Sequence, residues 1–154
     1  MKYLKIIAIA IIFSLAGCAT TGSQSPKQAA ITSGQLFKFK TSHFAWIPSN
    51  GGLSGGLASV FASSAGTDSP HVAGLVKIMK PAKSKTVRIG VSGPNSSLTA
   101  NIIITALDNM SGKLPNLQLA FIGSVEHKTK VQAAVTAKGG EFLFSNTEKS
   151  KSTI

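Results

Sequence analysis

Three sets of residues in this 154-residue chain have types and spacings that could do chemistry. Gly52-Leu53-Ser54-Gly55-Gly56 has the G-x-S-x-G spacing of a nucleophile elbow, and Asp108 and His127 follow in the chain order a serine hydrolase would need. That chemistry requires the serine on a sharp strand-to-helix turn, with glycines removing the steric clash. Pro48 and Asn50 interrupt the strand that would lead into such a turn, and Asp108 falls within a helical pattern rather than on a loop. A run this rich in glycine produces the spacing by itself, so the hydrolase using Ser54 is the lesser alternative. The second set, Gly90 to Ser97 (GVSGPNSS), lies between a strand and a helix, where backbone N–H groups can face an anion. It lacks the lysine of a P-loop and the full G-x-G-x-x-G of a dinucleotide site, and Pro94 removes a donor, so a capped turn explains it. The third set, His43, His71 and His127, shows no metal-ligand spacing, and no pair of carboxylates is placed for acid/base work. The expectation is a chain that is not an enzyme and holds no cofactor or metal.

One residue stands apart. Cys18 is the only cysteine, so an internal disulfide is impossible in any compartment. It follows a charged stretch, Met1-Lys2-Tyr3-Leu4-Lys5, then an uncharged apolar run from Ile6 to Ser14, then Leu15-Ala16-Gly17. That is the layout of a secretory signal peptide, with an apolar run too short for a permanent membrane span. Leu15-Ala16-Gly17-Cys18 resembles the lipobox of bacterial lipoproteins. The resemblance implies diacylglycerol on the Cys18 thiol, cleavage after Gly17, and a mature protein held by two or three acyl chains, enough for stable anchoring. Ala19 stands where Asp favours inner-membrane retention in that class, which points to the outer membrane, facing the periplasm.

The elements that position these residues follow from periodicity. Residues 1–17 are the signal peptide. Residues 18–34, polar and small with Pro26, suit a flexible tether. Residues 35–146 hold a single α/β domain, and 147–154 form a polar, disordered tail. The domain is expected to be a small sandwich. A half-exposed strand is expected near 36–46, with Phe37 and Phe39 on one face, and a second over His71 to Met79. Gly51 to Gly66 reads as a glycine-rich loop or short helix. A strand-helix-strand-helix-strand run then covers about 86–145, with strands at Thr86 to Ser92, Leu117 to Gly123 and Glu141 to Phe144. The helices run from Leu98 to Met110, capped by Ser96 or Ser97, and from Val125 to Lys138, capped by Ser124. Such alternation packs helices on a sheet through right-handed crossovers.

Charge narrows the function further. The chain carries 16 basic and 5 acidic residues, a formal +11; removing Lys2 and Lys5 with the signal peptide lowers it to +9. Arg88 is the only arginine. Nucleic-acid readers favour arginine forks and clustered aromatics, and neither is present, so nucleic acid is not an expected partner. The reading is a lipid-anchored, non-enzymatic binding or accessory component of the cell envelope, with an envelope protein as partner. In layout it resembles the small accessory lipoproteins of secretion, pilus and conjugation assemblies. A small-ligand or lipid-binding module, using the loops after Ser92 and Gly123, is the alternative.

Overall fold

The structure, a computed structural model, describes residues 24–49 and 69–147. Four parallel strands form one sheet in the order β1-β2-β3-β4: β1 His43–Trp46, β2 Val87–Ser92, β3 Leu117–Gly123 and β4 Glu141–Asn146. Among the described residues, four α-helices accompany them: α1 Pro26–Leu36, α2 Pro70–Met79, α3 Ser96–Asp108 and α4 Lys128–Ala137. A 3-10 turn at Lys80–Lys83 extends α2, and another at Val125–His127 leads into α4. The α/β class and the run β2-α3-β3-α4-β4 agree with the sequence reading.

Register sorts the side chains onto two faces. Parallel partners align in rows, so His43, Ile89, Leu119 and Phe142 share one face with Ala45, Val91, Phe121 and Phe144. The intervening rows, Phe44–Gly90–Ala120–Leu143 and Trp46–Ser92–Ile122–Ser145, point the other way. Because the strands follow one another in sequence order, crossovers of one hand put their helices on one face, and α2, α3 and α4 pack side by side there. Val72, Leu75 and Met79 of α2, Ile103 and Leu107 of α3, and Val131 and Val135 of α4 complete that core over Ile89, Val91, Leu119 and Phe121. Sheet rows of leucine, isoleucine and valine, buried on both sides, are what a covered parallel sheet demands.

Among the described residues, the opposite face is covered by α1. Its start is written in Ser25-Pro26-Lys27-Gln28: Ser25 accepts from the Gln28 N–H, the Gln28 side chain accepts from the Ser25 N–H, and proline occupies the first turn. Ala29, Ser33 and Phe37, at four-residue spacing, are its buried stripe. The helix can approach because Gly90 and Ala120 form the middle of that face; a Cβ on Gly90 would lie 1.9 Å from Ser33 Oγ. Residues 26–34, expected in the flexible tether, are therefore folded, and the domain starts ahead of residue 35.

Three other expectations need correction. The strand near 36–46 shrinks to His43–Trp46, since the hydrogen bonds of Phe37 to Lys40 close the end of α1 instead of extending the chain. Residues 71–79 form α2 and not a strand, so among the described residues the sheet has one extra N-terminal strand rather than two. Val72, Leu75, Val76 and Met79 fit helical spacing, and Ser69-Pro70 opens the helix. Asn95, not Ser96 or Ser97, caps α3: its side chain accepts from the Leu98 N–H at 2.9 Å. The readings for 1–17, Gly51 to Gly66 and the tail from 148 onward lie outside the described residues.

α1 and α4 end in the same motif with different residues. After α4, the Gly140 N–H bonds back to Val135 O and Gly139 takes φ +79°. After α1, the Phe39 N–H bonds back to Gly34 O at 2.7 Å, but the left-handed position is Lys38, at φ 52°, and Phe39 follows at φ 55°. A side chain at that position costs about 1–2 kcal/mol. Lys38→Gly is expected to raise stability by about 1 kcal/mol after the extra chain entropy of glycine. The check is a higher urea midpoint at unchanged m-value.

Candidate functional site

A parallel sheet has two unlike ends. All four strands finish at one edge, where the crossover helices begin; all four start at the other, where those helices finish. The residues with chemical potential divide between these poles.

At the C-terminal edge, the polar groups of the strand-to-helix turns hold the turns themselves together. Ser92 Oγ donates to Ile122 O at 2.8 Å, Thr99 Oγ1 donates to Asn95 O at 2.9 Å, and Ser96 Oγ accepts from the Ser124 N–H at 2.9 Å. The Ile47 N–H donates to Ser92 O, and the Thr147 N–H donates to Gly123 O. Gly93 is pressed so close that an added Cβ would lie 2.2 Å from Ile47 O. The turn from Gly90 to Ser97 is thus a capped, internally bonded turn. The strand order does not reverse among the described strands, so the crevice in which open α/β sheets hold ligands, at a reversal of order, does not arise there.

Asp108 and His127, the candidate triad partners of Ser54 in the sequence, are not gathered. Asp108 ends α3 at the N-terminal edge, whereas His127 stands just ahead of α4 at the C-terminal edge. A 13-residue helix spans about 20 Å, which is the scale of their separation. Ser54 and Cys18 lie outside the described residues. Of the histidines, His43 starts β1 at one edge, and His71 and His127 begin the helical segments at the other. Among the described residues, no group of three or more His, Cys, Asp or Glu could hold a metal ion, and no helix is long and apolar enough to cross a membrane.

The N-terminal edge gathers charge. Lys77 and Lys80 lie where α2 ends, and Lys83, Lys85 and Arg88 lead into β2. Lys113 and Lys138 precede β3 and β4, and Lys38 and Lys40 precede β1. Nine of the twelve described basic residues therefore sit at one pole, against the acids Asp108 and Glu141. Lys83 Nζ donates to Ser111 Oγ at 3.5 Å, and two more of the nine tie strand entries to helix exits: Lys113 Nζ donates to Ala137 O at 2.6 Å, and Lys138 Nζ donates to Met110 O. Both favour the negative ends of helix dipoles. Glu141 accepts from Gln118 Nε2 at 2.7 Å. Phe39, flanked by Lys38 and Lys40, is 77% exposed.

The sequence analysis counted the basic residues without locating them and missed this concentration. Their position just ahead of each strand was visible in Lys40, Lys85 and Lys113, but only a parallel sheet sends all strand entries to one pole. No protein-family model matches the chain, and neither a curated protein sequence nor a solved structure shows significant similarity to it.

Proposed function

We propose that the chain is an exported lipoprotein, acylated on Cys18 and facing the periplasm, whose α/β domain works by binding another envelope component rather than by catalysis. The observation that carries this reading is the ordered run of charged start, apolar stretch and Leu15-Ala16-Gly17-Cys18, which places the only cysteine at a cleavage and acylation site. Ala19 in the following position favours the outer membrane. The separation of Asp108 from His127 and the internal bonding of the C-terminal-edge turns support a binding role over the Ser54 hydrolase.

The test is affinity recovery of the lipidated chain from gently solubilised envelope after brief crosslinking. One or a few defined envelope proteins should come with it in fixed proportion. Recovery as a lone monomer would count against the accessory role. Labelling of Ser54 by a fluorophosphonate on folded protein, lost in Ser54→Ala, would turn the reading toward the hydrolase.

A further inference from the structure

We propose that the lysine-rich pole at the N-terminal edge of the sheet, with Phe39 beside it, docks on an anionic phospholipid bilayer. The inference rests on the envelope reading only for access to such a bilayer; the binding surface itself is a property of the described domain.

Topology supplies the shape. Because the four strands enter from the same end, the segments before them lie together across that end and can meet one plane. The charge at that end is mostly of one kind, nine bases against Asp108 and Glu141. Lys80, Lys83, Lys85 and Lys113 are exposed, and helix-dipole complementarity does not explain Lys40 or Lys85, which lie outside any helix. An ammonium on a flexible stem acts as a point charge toward a diffuse anionic surface, whereas carboxylate or nucleic-acid recognition favours the fixed fork of arginine, present here only in Arg88.

Phe39 sharpens the choice toward lipid. It is the most exposed of the large hydrophobic residues Ile31, Phe39 and Val125, and it is held outward rather than loose: its N–H is bonded to Gly34 O and its ring lies over Gly34. The chain there accepts two consecutive positive φ angles at non-glycine residues. An aromatic ring fixed between two lysines suits the bilayer interface, where the ring sits at headgroup depth and the ammonium groups reach phosphates.

The test uses the full chain purified from membranes, with Ser84→Cys introduced in the exposed turn between Lys83 and Lys85 and labelled with an environment-sensitive dye. Reconstitution is into phosphatidylcholine vesicles, or into phosphatidylcholine and phosphatidylglycerol mixed at about two to one, both with bilayer-borne quencher. Quenching is expected in the anionic vesicles, to disappear in about 0.5 M salt, and to be weak in the neutral ones. Each lysine at such a surface is worth about fivefold, so combining Lys80→Ser, Lys83→Ser and Lys85→Ser should lower the docked-to-free ratio about a hundredfold. Phe39→Ser should lower it about tenfold. Equal quenching in both vesicles, or no response to the triple substitution in a chain with unchanged circular dichroism, overturns the proposal. So does binding of an acidic peptide or duplex DNA with no response to phosphatidylglycerol. Failure of the anchor shows separately, as a second dye on Cys18 and loss of flotation with neutral vesicles.

Discussion

Cys18→Ser is expected to abolish incorporation of a fatty-acid label and to prevent the mature chain from reaching the outer membrane. A serine hydroxyl is close in size to the thiol but is a far poorer nucleophile near neutral pH, so the acyl acceptor is lost with little steric change. In the lipoproteins that Leu15-Ala16-Gly17-Cys18 resembles, cleavage depends on the modified cysteine, so the variant should persist with residues 1–17 attached. Total membrane association is the wrong readout, because the apolar run from Ile6 to Ser14 would still favour a membrane. The informative measurements are label on the protein, intact mass, and separation of the two membranes. One acyl chain binds a bilayer only marginally and two bind it stably, so the effect should be nearly all or none. Label retained by the serine variant, or a mature chain starting elsewhere than Cys18, would defeat the lipoprotein reading.

Gly90→Ala should damage the folded domain severely, lowering stability by about 3 kcal/mol. Its Cβ would lie 1.9 Å from Ser33 Oγ and 2.6 Å from Ser33 Cβ. Rotating the hydroxyl removes the first clash and leaves the second, so α1 must lift from the sheet, loosening Ala29 and Phe37 as well. Ser33 Oγ is buried with no hydrogen-bond partner, so Ser33→Ala alone should raise stability by about 1 kcal/mol. Ser33→Gly alone should be near neutral, since about 1 kcal/mol of helix propensity lost relative to alanine offsets the removal of that hydroxyl, yet combined with Gly90→Ala it should recover most of the loss, because it removes the atoms that the new methyl strikes. Urea unfolding of the four chains gives the cycle directly. Wild-type stability in Gly90→Ala would mean that α1 does not rest on β2.

The elements legible in advance were those whose own residues decide them. Val87, Ile89 and Val91, and the block from Leu117 to Ile122, are apolar enough to declare buried strands, and Leu98, Ile102, Ala106 and Leu107 repeat at helical spacing. The misread elements were those where two periods compete. His71 to Met79 is apolar at positions that suit either state, and the Ser69-Pro70 start decides for a helix. Leu36 to Lys40 alternates like a strand, yet its backbone is used to close α1. The weakly apolar α1 was hidden by its composition: Ala29 and Ser33 are small because the sheet beneath them approaches closely, not because the segment is loose.

For function the division is cleaner. The proposal for Cys18 rests on the sequence by itself, since signal and lipobox patterns are linear and depend on the order of residues rather than on what they touch. The sequence also determined the α/β class, because alternating periods of apolar residues survive without knowledge of neighbours. Only the tertiary structure decided which residues share a place. It separated Asp108 from His127 by the length of α3, set Ser33 against Gly90, and gathered lysines spread from Lys38 to Lys138 at one pole. The physical reason is the parallel sheet: each return crossover sends every strand entry to the same end, so residues far apart in the chain become neighbours there.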